Sequence, residues 1–418
     1  MFCLTDIVSF YCSAETVFAP ELRGKSIVVL SNNDGALVSA NDQALALGVK
    51  KFEPYFKMKP ILDRFDIEIR SSNYELYGAL SSRVMAVLEE MAPDTLVYSI
   101  DEAFNDHRQW IPEGGFRAHG HAIIKRVKKE TGLPVRVGFG QTLTLCKVAN
   151  VVAKRVARAN GVCCIDSDSQ RLAILNKFPI GEVWGVGRAF KKRLKQDGYH
   201  SAADLAQANM ALIRKRYGVI VERTARELAG EACIPFHPEE SDKKQIVVSR
   251  AFGEKVNCLD GLISESIRYL TMAMAKLRKN NLLTSAIIFS ARCSEFRSSG
   301  HKFNTVIGFP TPTNDTSVAA ALLTKCIRQN ALPNQAYARS MICLTNLSSA
   351  THTQSDLFSK HQSNKSIKLM EALDAINEHN SNTVVLGQSL RAQQYKMKRD
   401  FKSPNFLGSW LEIPVVKC

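Results

Sequence analysis

No stretch of this 418-residue chain approaches the roughly 18 consecutive apolar residues that a membrane-crossing helix needs, so nothing in it reads as a membrane span. The opening Met1-Phe2-Cys3-Leu4-Thr5-Asp6 lacks a basic segment followed by a long apolar run, and so does not read as a signal peptide. Cys-x-x-Cys pairs are missing, although the chain holds 11 cysteines. Cys163 and Cys164 are adjacent, which suits neither a metal site nor an ordinary disulfide. The thiols read as reduced and mostly buried in a cytoplasmic protein. The nine histidines show no metal-ligand spacing, and His119 and His121, flanking Gly120, read as surface residues. No internal repeat occurs. Acidic residues are in deficit, 40 Asp and Glu against 55 Lys and Arg, giving a net charge of +15 and a pI near 9.3. Such an excess implies an anionic partner, nucleic acid first, although a solubilising surface would carry the same charge.

The length suggests two to four domains at about 100–200 residues each. The first 165 residues alternate strand-like and helix-like segments. Phe2–Ile7 is a short apolar run ending in a carboxylate, and Ile27–Leu30 is a second, closed by the turn signal Ser31-Asn32-Asn33-Asp34-Gly35. Leu76–Met91 has apolar residues at helical spacing, Thr95–Phe104 reads as strand, turn, strand, Val135–Phe139 alternates as a strand, and Leu143–Val156 reads as a helix. Together they predict an α+β core. Residues 166–236 read as short basic helices around a Gly-x-Gly turn. From about 244 strands return at Gln245–Phe252 and Ser285–Ala291, with helices at Ser264–Leu277 and Ser317–Gln329. Beyond about 350 the composition turns to Ser, Thr, Asn, Gln and His and reads as a linker or partly disordered tail.

Asp6, Asp101 and Glu102 are the carboxylates of interest. Successive strand residues face apart, so Asp101 and Glu102 need a turn to aim at one point. With Asp6 from a neighbouring strand they would form an oxygen-rich site of the kind hard Mg²⁺ prefers. Two such ions can activate a 3′-hydroxyl and stabilise a departing pyrophosphate. For a bare Asp-Glu pair the commoner reading is a solvated hairpin tip; the flanking residues decide.

Those residues are Phe2-Cys-Leu-Thr-Asp-Ile-Val-Ser-Phe-Tyr11, Ser31-Asn-Asn-Asp-Gly35, Ser72-Asn-Tyr-Glu-Leu-Tyr77 and Tyr98-Ser-Ile-Asp-Glu-Ala103. In order along nearly the whole chain, the sequence resembles Y-family translesion DNA polymerases of the UmuC type. The resemblance implies a right-hand polymerase: a ferredoxin-like palm with small fingers over residues 1–165 (fingers about 16–74), a helical thumb with a helix-hairpin-helix over 166–236, an α/β little finger over 237–350 and a polar C-terminal tail over 351–418. It implies an error-prone DNA-directed DNA polymerase acting in the SOS response. It also implies two Mg²⁺ ions held by Asp6, Asp101, Glu102 and the carbonyl of Ile7. Phe10 and Tyr11 would lie under the incoming deoxynucleoside triphosphate, Tyr11 as the ring that leaves no room for a 2′-hydroxyl. Read alone, the pair would more often be core packing. Ser39 and Lys154 would also meet the nucleotide.

Lys147 and Lys154 lie two helical turns apart and so share a predicted cationic face. Other positions depart from the family: Ala40, Leu45 and Leu143 stand where basic residues are usual, and Val8 where Asn or Asp is common. Losing such cations weakens triphosphate contacts, which keeps open a second reading, a weakened or inactive relative that binds DNA and partners. Gly185 and Gly187, followed by Lys191, Lys192, Arg193 and Lys195, fit a helix-hairpin-helix that grips phosphates through backbone amides, or else a plain helix cap. A helix-hairpin-helix glycosylase or nuclease is a third reading, but it leaves the Tyr-Ser-Ile-Asp-Glu segment unexplained. Arg214-Lys215-Arg216 with Lys276, Arg278 and Lys279 extend the expected phosphate-tracking surface. Gln354-Ser-Asp-Leu357-Phe358 resembles the peptide that bacterial replication proteins insert into the sliding clamp, and two apolar anchors in a polar segment suit docking in a pocket. The resemblance adds a cleaved UmuD-type dimer, the recombinase filament and DNA primer-template as partners.

Overall fold

The computed structural model describes residues 1–238, 242–293, 301–351, 362–379, 383–389, 395, 397–404 and 406–407. The chain divides into two compact units, Met1–Glu239 with Asp400–Cys418, and Glu240–Arg399.

The first unit carries strands β1 (Phe2–Ile7), β2 (Ile27–Leu30), β3 (Leu37–Ala40), β4 (Glu68–Ser71), β5 (Asp94–Val97), β6 (Glu102–Asp106), β7 (Val135–Gly140) and β8 (Val162–Cys164). Its helices are α1 (Phe10–Glu15), α2 (Asp42–Ala46), α3 (Tyr55–Arg64), α4 (Tyr74–Glu89), α5 (Gly115–Thr131), α6 (Leu143–Arg155), α7 (Asp168–Lys177), α8 (Arg188–Gln196), α9 (Ala202–Ala206), α10 (Met210–Tyr217) and α11 (Val219–Ala229). Five strands form one sheet in the order β5-β6-β1-β7-β8, antiparallel except between β7 and β8. Alternation gives β1 two buried faces. Cys3 and Ile7 pack with α4 and α5, while Phe2 and Leu4 pack with Phe104 and with Leu143 and Cys146 of α6. Helix α6 starts where the Thr142 hydroxyl accepts from the Leu145 N–H at 3.2 Å. It lies unusually close to the sheet, because a Cβ on Gly138 would come within 2.4 Å of the Asn150 nitrogen and 2.6 Å of the Cys146 carbonyl oxygen. A second sheet, β3-β2-β4, packs with α2 and α3 over Val28, Leu30, Leu37, Ala40 and Leu62. Helices α7 to α11 share a core with one side of α6.

The second unit has β9 (Ile246–Val256), β10 (Leu282–Cys293), β11 (Lys302–Thr313) and β12 (Tyr337–Ser349) in the antiparallel order β11-β10-β12-β9. Helices α12 (Leu259–Lys279) and α13 (Thr316–Asn330) bury their apolar stripes on this sheet, and α14 (Asn364–His379) follows. The region beyond 350 is therefore not all linker. Arg278, expected to track phosphates, is instead 9% exposed and bonds both carboxylate oxygens of Asp374 in α14 at 2.6 and 2.7 Å. It also holds the Asn314 carbonyl and the Thr316 hydroxyl, each at 2.8 Å, which leaves its guanidinium committed to structure. Among the described residues no helix is long and apolar enough to cross a membrane.

Candidate active site

Asp6 stands directly across from Glu102 in the antiparallel register of β1 and β6. Opposed residues leave a sheet on the same face, here the face covered by α6. Asp101 occupies the turn between β5 and β6. The turn is closed by the Tyr98 and Ser99 N–H groups, both donating to the Glu102 carbonyl at 3.1 Å, and tied to β1 by the Ile7 N–H donating to the Asp101 carbonyl at 2.9 Å. One residue in the turn and the next on the strand is how adjacent acids escape the alternation that would part them. The Ser99 hydroxyl donates to the Asp101 carboxylate.

Negative charge is crowded here. The Asp6 carboxyl is pushed up to about 7, first by burial and then by the charges of Glu102 and Asp101, with Arg136 and Lys147 opposing. Arg136 lies opposite Asp6 on β7. Lys147 of α6 reaches Glu102, Nζ to Oε2 2.6 Å, with the two side chains only 16% and 21% exposed. Its ammonium sits 4.4 Å from the Tyr98 ring centre and 5.6 Å from those of Phe104 and Trp184. Among the described residues no three His, Cys, Asp or Glu side chains stand in ion-holding geometry. Glu102 is turned onto Lys147 and Asp101 onto Ser99. The donors are nevertheless all oxygen, and burial together with the repulsion that lifts Asp6 is what a divalent cation offsets. The residues fit a hard ion such as Mg²⁺.

The other expected site residues fall as follows. Phe10 is 3% exposed and packs on Tyr11 and Tyr77, a core residue rather than an open surface. Tyr11 is partly exposed, stacked on Tyr77 at 4.5 Å and 13° and edge-on to Tyr74 at 6.0 Å. Ser39 is buried on β3, where the Cys12 thiol donates to it at 3.3 Å. Lys154 is exposed near the end of α6, whereas Lys147 turns inward, so the expected pair of phosphate-facing lysines divides. Ala40 and Leu143 fill apolar cores, and Leu45 packs beside the first of them. Gly185 takes φ +87°, a left-handed turn that favours glycine, and Gly187 caps the start of α8, which exposes Lys191 and Lys192. The helix expected before this turn is a single 3₁₀ turn, Ile180–Glu182. His119 is buried rather than exposed, its ring 5.1 Å from that of His107 and beside Trp110 and Phe139. Gln354, Leu357 and Phe358 lie outside the described residues. The tie between Lys147 and Glu102 was not foreseen. Arg136 could have been, since it is the polar residue in the apolar alternation Val135-Arg136-Val137.

Residues 5–151 match the model of the impB/mucB/samB family, and residues 243–357 match the model of that family's C-terminal domain. Residues 367–416 match a domain of unknown function, DUF4113. The chain is 36% identical over 422 residues to Protein ImpB of Salmonella typhimurium, covering 100% of both chains. It is equally 36% identical over 422 residues to Protein UmuC of Salmonella typhimurium strain LT2, again covering 100% of both. Among solved structures, a Y-family DNA polymerase chimera of Dbh and Dpo4 superposes with a TM-score of 0.62 at 21% identity, over 82% of this chain and 98% of that one.

Proposed function

This chain belongs to the impB/mucB/samB family, the UmuC type of Y-family DNA polymerase, and on that premise we propose that it extends primers across damaged template bases as the error-prone polymerase of the SOS response. The observation that supports this most is the convergence of Asp6, Glu102 and the Asp101 turn on the α6 face of the five-stranded sheet. Asp6, Asp101, Glu102 and the Ile7 carbonyl would hold two Mg²⁺ ions. When bound, these would supply an activated primer 3′-hydroxyl and charge stabilisation for the leaving pyrophosphate. The chain's own residues do the rest. Lys147 offsets the crowded carboxylates while the site is at rest. The Tyr11 ring fills the space a 2′-hydroxyl would need. Lys154 and Ser39 meet the triphosphate, and Phe10 braces Tyr11 from within the core. The backbone at Gly185 and Gly187 approaches template phosphates, with Lys191 and Lys192 adding screened, sequence-independent attraction.

In this reading the five-stranded sheet is the palm, the β3-β2-β4 layer the fingers, helices α7 to α11 the thumb and the second unit the little finger. The partners are DNA primer-template, the sliding clamp through Gln354, Leu357 and Phe358, a cleaved UmuD-type dimer and the recombinase filament, in the cytoplasm. The test is primer extension on a template carrying one abasic site, with Mg²⁺ and with the accessory proteins added in turn. Insertion opposite the lesion is expected. Binding of the primer-template with no extension under any of these conditions would leave a DNA-binding relative as the better description.

A further inference from the structure

Phe52 combines two features that folding alone disfavours. Its side chain is 79% exposed, and its backbone sits at φ +67°, the left-handed region that a bulky residue rarely adopts. Gly48, at φ +92°, is the residue type such a turn ordinarily uses. Hydrogen bonds hold the strained segment in place. The Phe52 N–H donates to the Leu37 carbonyl at 2.7 Å, and the Leu37 N–H to the Glu53 carbonyl at 3.0 Å. The Tyr55 N–H donates to the Gly35 carbonyl at 2.9 Å, and Pro54 bridges antiparallel to Ala36. Residues 52–55 are thus stitched to the start of β3, beside the Ser31–Gly35 turn.

Residues 400–404 brace the same layer. The Tyr55 ring stands edge-on to that of Phe401, centres 6.3 Å apart. The Phe401 N–H donates to the Ser71 hydroxyl at 3.0 Å, and the Ser71 N–H donates back to the Phe401 carbonyl at 3.0 Å. Asn73, which caps α4, donates through its side-chain amide to the Ser403 hydroxyl at 3.0 Å. A braced, strained backbone that lifts an aromatic ring into water gives up stability to present it.

The flanking charge points to what the ring meets. Between 50 and 59, Lys50, Lys51, Lys57 and Lys59 stand against the single acid Glu53. Lys59 is held by Asp63 at 2.8 Å, whereas Lys50 and Lys57 are exposed. Phe56, 62% exposed, stands with Lys57 in the first turn of α3. An aromatic face among cations suits a nucleobase stacked on the ring with its phosphates on the ammonium groups. An apolar protein partner would have to bury those ammonium groups instead. A base inside a duplex has both faces covered by its neighbours, so the ring selects an unpaired one.

We infer that Phe52 is a stacking platform for an unpaired base of the template strand, with Lys50 and Lys57 meeting the adjoining phosphates. This rests on the reading of the chain as a polymerase whose β3-β2-β4 layer is the fingers.

The test uses the full chain and two DNAs, a primer-template with a 5′ single-stranded overhang and the same duplex with blunt ends, compared by fluorescence anisotropy at one salt concentration. Phe52→Gly should weaken binding of the overhang DNA about 5-fold or more and leave the blunt duplex unchanged. Phe52→Trp, which keeps an aromatic face, should retain the overhang affinity. The unfolding midpoint of Phe52→Gly should lie at or above wild type, because glycine takes positive φ without strain. 2-Aminopurine placed at successive unpaired template positions should be quenched at one of them by wild type and not by Phe52→Gly. Equal affinity of Phe52→Gly and wild type for the overhang DNA overturns the inference and leaves a protein partner as the occupant. A midpoint well below wild type, with both DNAs weakened alike, overturns it in favour of a packing role. If wild type extends no primer but Phe52→Gly still loses the overhang preference, the polymerase reading fails and the platform stands.

Discussion

Replacing Lys147 with methionine removes one charge from the acidic site and leaves the stem's bulk against Tyr98 and Trp184. The bond it breaks is 2.6 Å long between side chains 16% and 21% exposed, so water screens it only in part. A charge-assisted bond in that setting contributes about 1.5–3 kcal/mol. Two effects of opposite sign follow. Without divalent ions, Glu102 is left beside Asp6 and Asp101 with no ammonium, and stability should fall by about 2 kcal/mol. With Mg²⁺, Glu102 is released and the Lys147 ammonium no longer opposes the ion, Arg136 being left opposite Asp6, so about 2 kcal/mol at about 1.4 kcal/mol per tenfold allows up to roughly 30-fold tighter Mg²⁺ binding. The assay is thermal unfolding of wild type and Lys147→Met in EDTA and across a Mg²⁺ series. The expected result is a lower midpoint in EDTA and a larger rise at lower Mg²⁺ concentration. If Mg²⁺ stabilises the variant at the same or a higher concentration than wild type, the idea that Lys147 substitutes for metal at Glu102 is wrong.

Burial in the cluster with His119, Trp110 and Phe139, then the neighbouring His119, lowers the His107 imidazole to about 4, and neither ring nitrogen has a hydrogen-bond partner among the described residues. The stability this neutral ring contributes is complete above its unfolded value near 6.5 and is lost as pH falls toward 4. Urea midpoints should therefore fall across that window, with a slope of at most about 1.4 kcal/mol per pH unit from this group, and His107→Phe should flatten the curve. Gly138→Ala drives a Cβ into backbone atoms of α6 that cannot rotate away. It should cost about 3 kcal/mol or more in chemical denaturation and lower extension by moving Lys147. Deleting residues 354–358 should abolish clamp binding by calorimetry while leaving distributive synthesis intact; unchanged clamp affinity would remove that peptide from the account.

The α+β class was legible because the elements that make it announce themselves locally. Strand β1 is an apolar run, α4 and α6 carry apolar residues at helical spacing, and Asp101-Glu102 sits where a strand signal breaks and resumes. What was hidden depends on register and distance. Lys147 and Glu102 are 45 residues apart, and only the close packing of α6 on Gly138 aims one at the other. Helix α14 buries little beyond Met370 and is held by Arg278 and Asp374, 96 residues apart, so its composition looks like linker. Asn73 and Ser403 are 330 residues apart. His119 looks like a surface residue because Gly120 beside it carries no side chain; in the fold that glycine lets α5 approach Val162 and Phe139 closely, and His119 goes inward with it.

The claim on which the rest depends is that the three acids exist for chemistry at a cost to stability. It is tested most directly by Asp6→Asn and Asp101→Asn, each assayed for primer extension, primer-template affinity and unfolding midpoint. The expected result is extension reduced at least about 10³-fold, affinity for primer-template retained, and an Asp6→Asn midpoint at or above wild type because repulsion from Glu102 and Asp101 is relieved. Extension at the wild-type rate in either variant would contradict it.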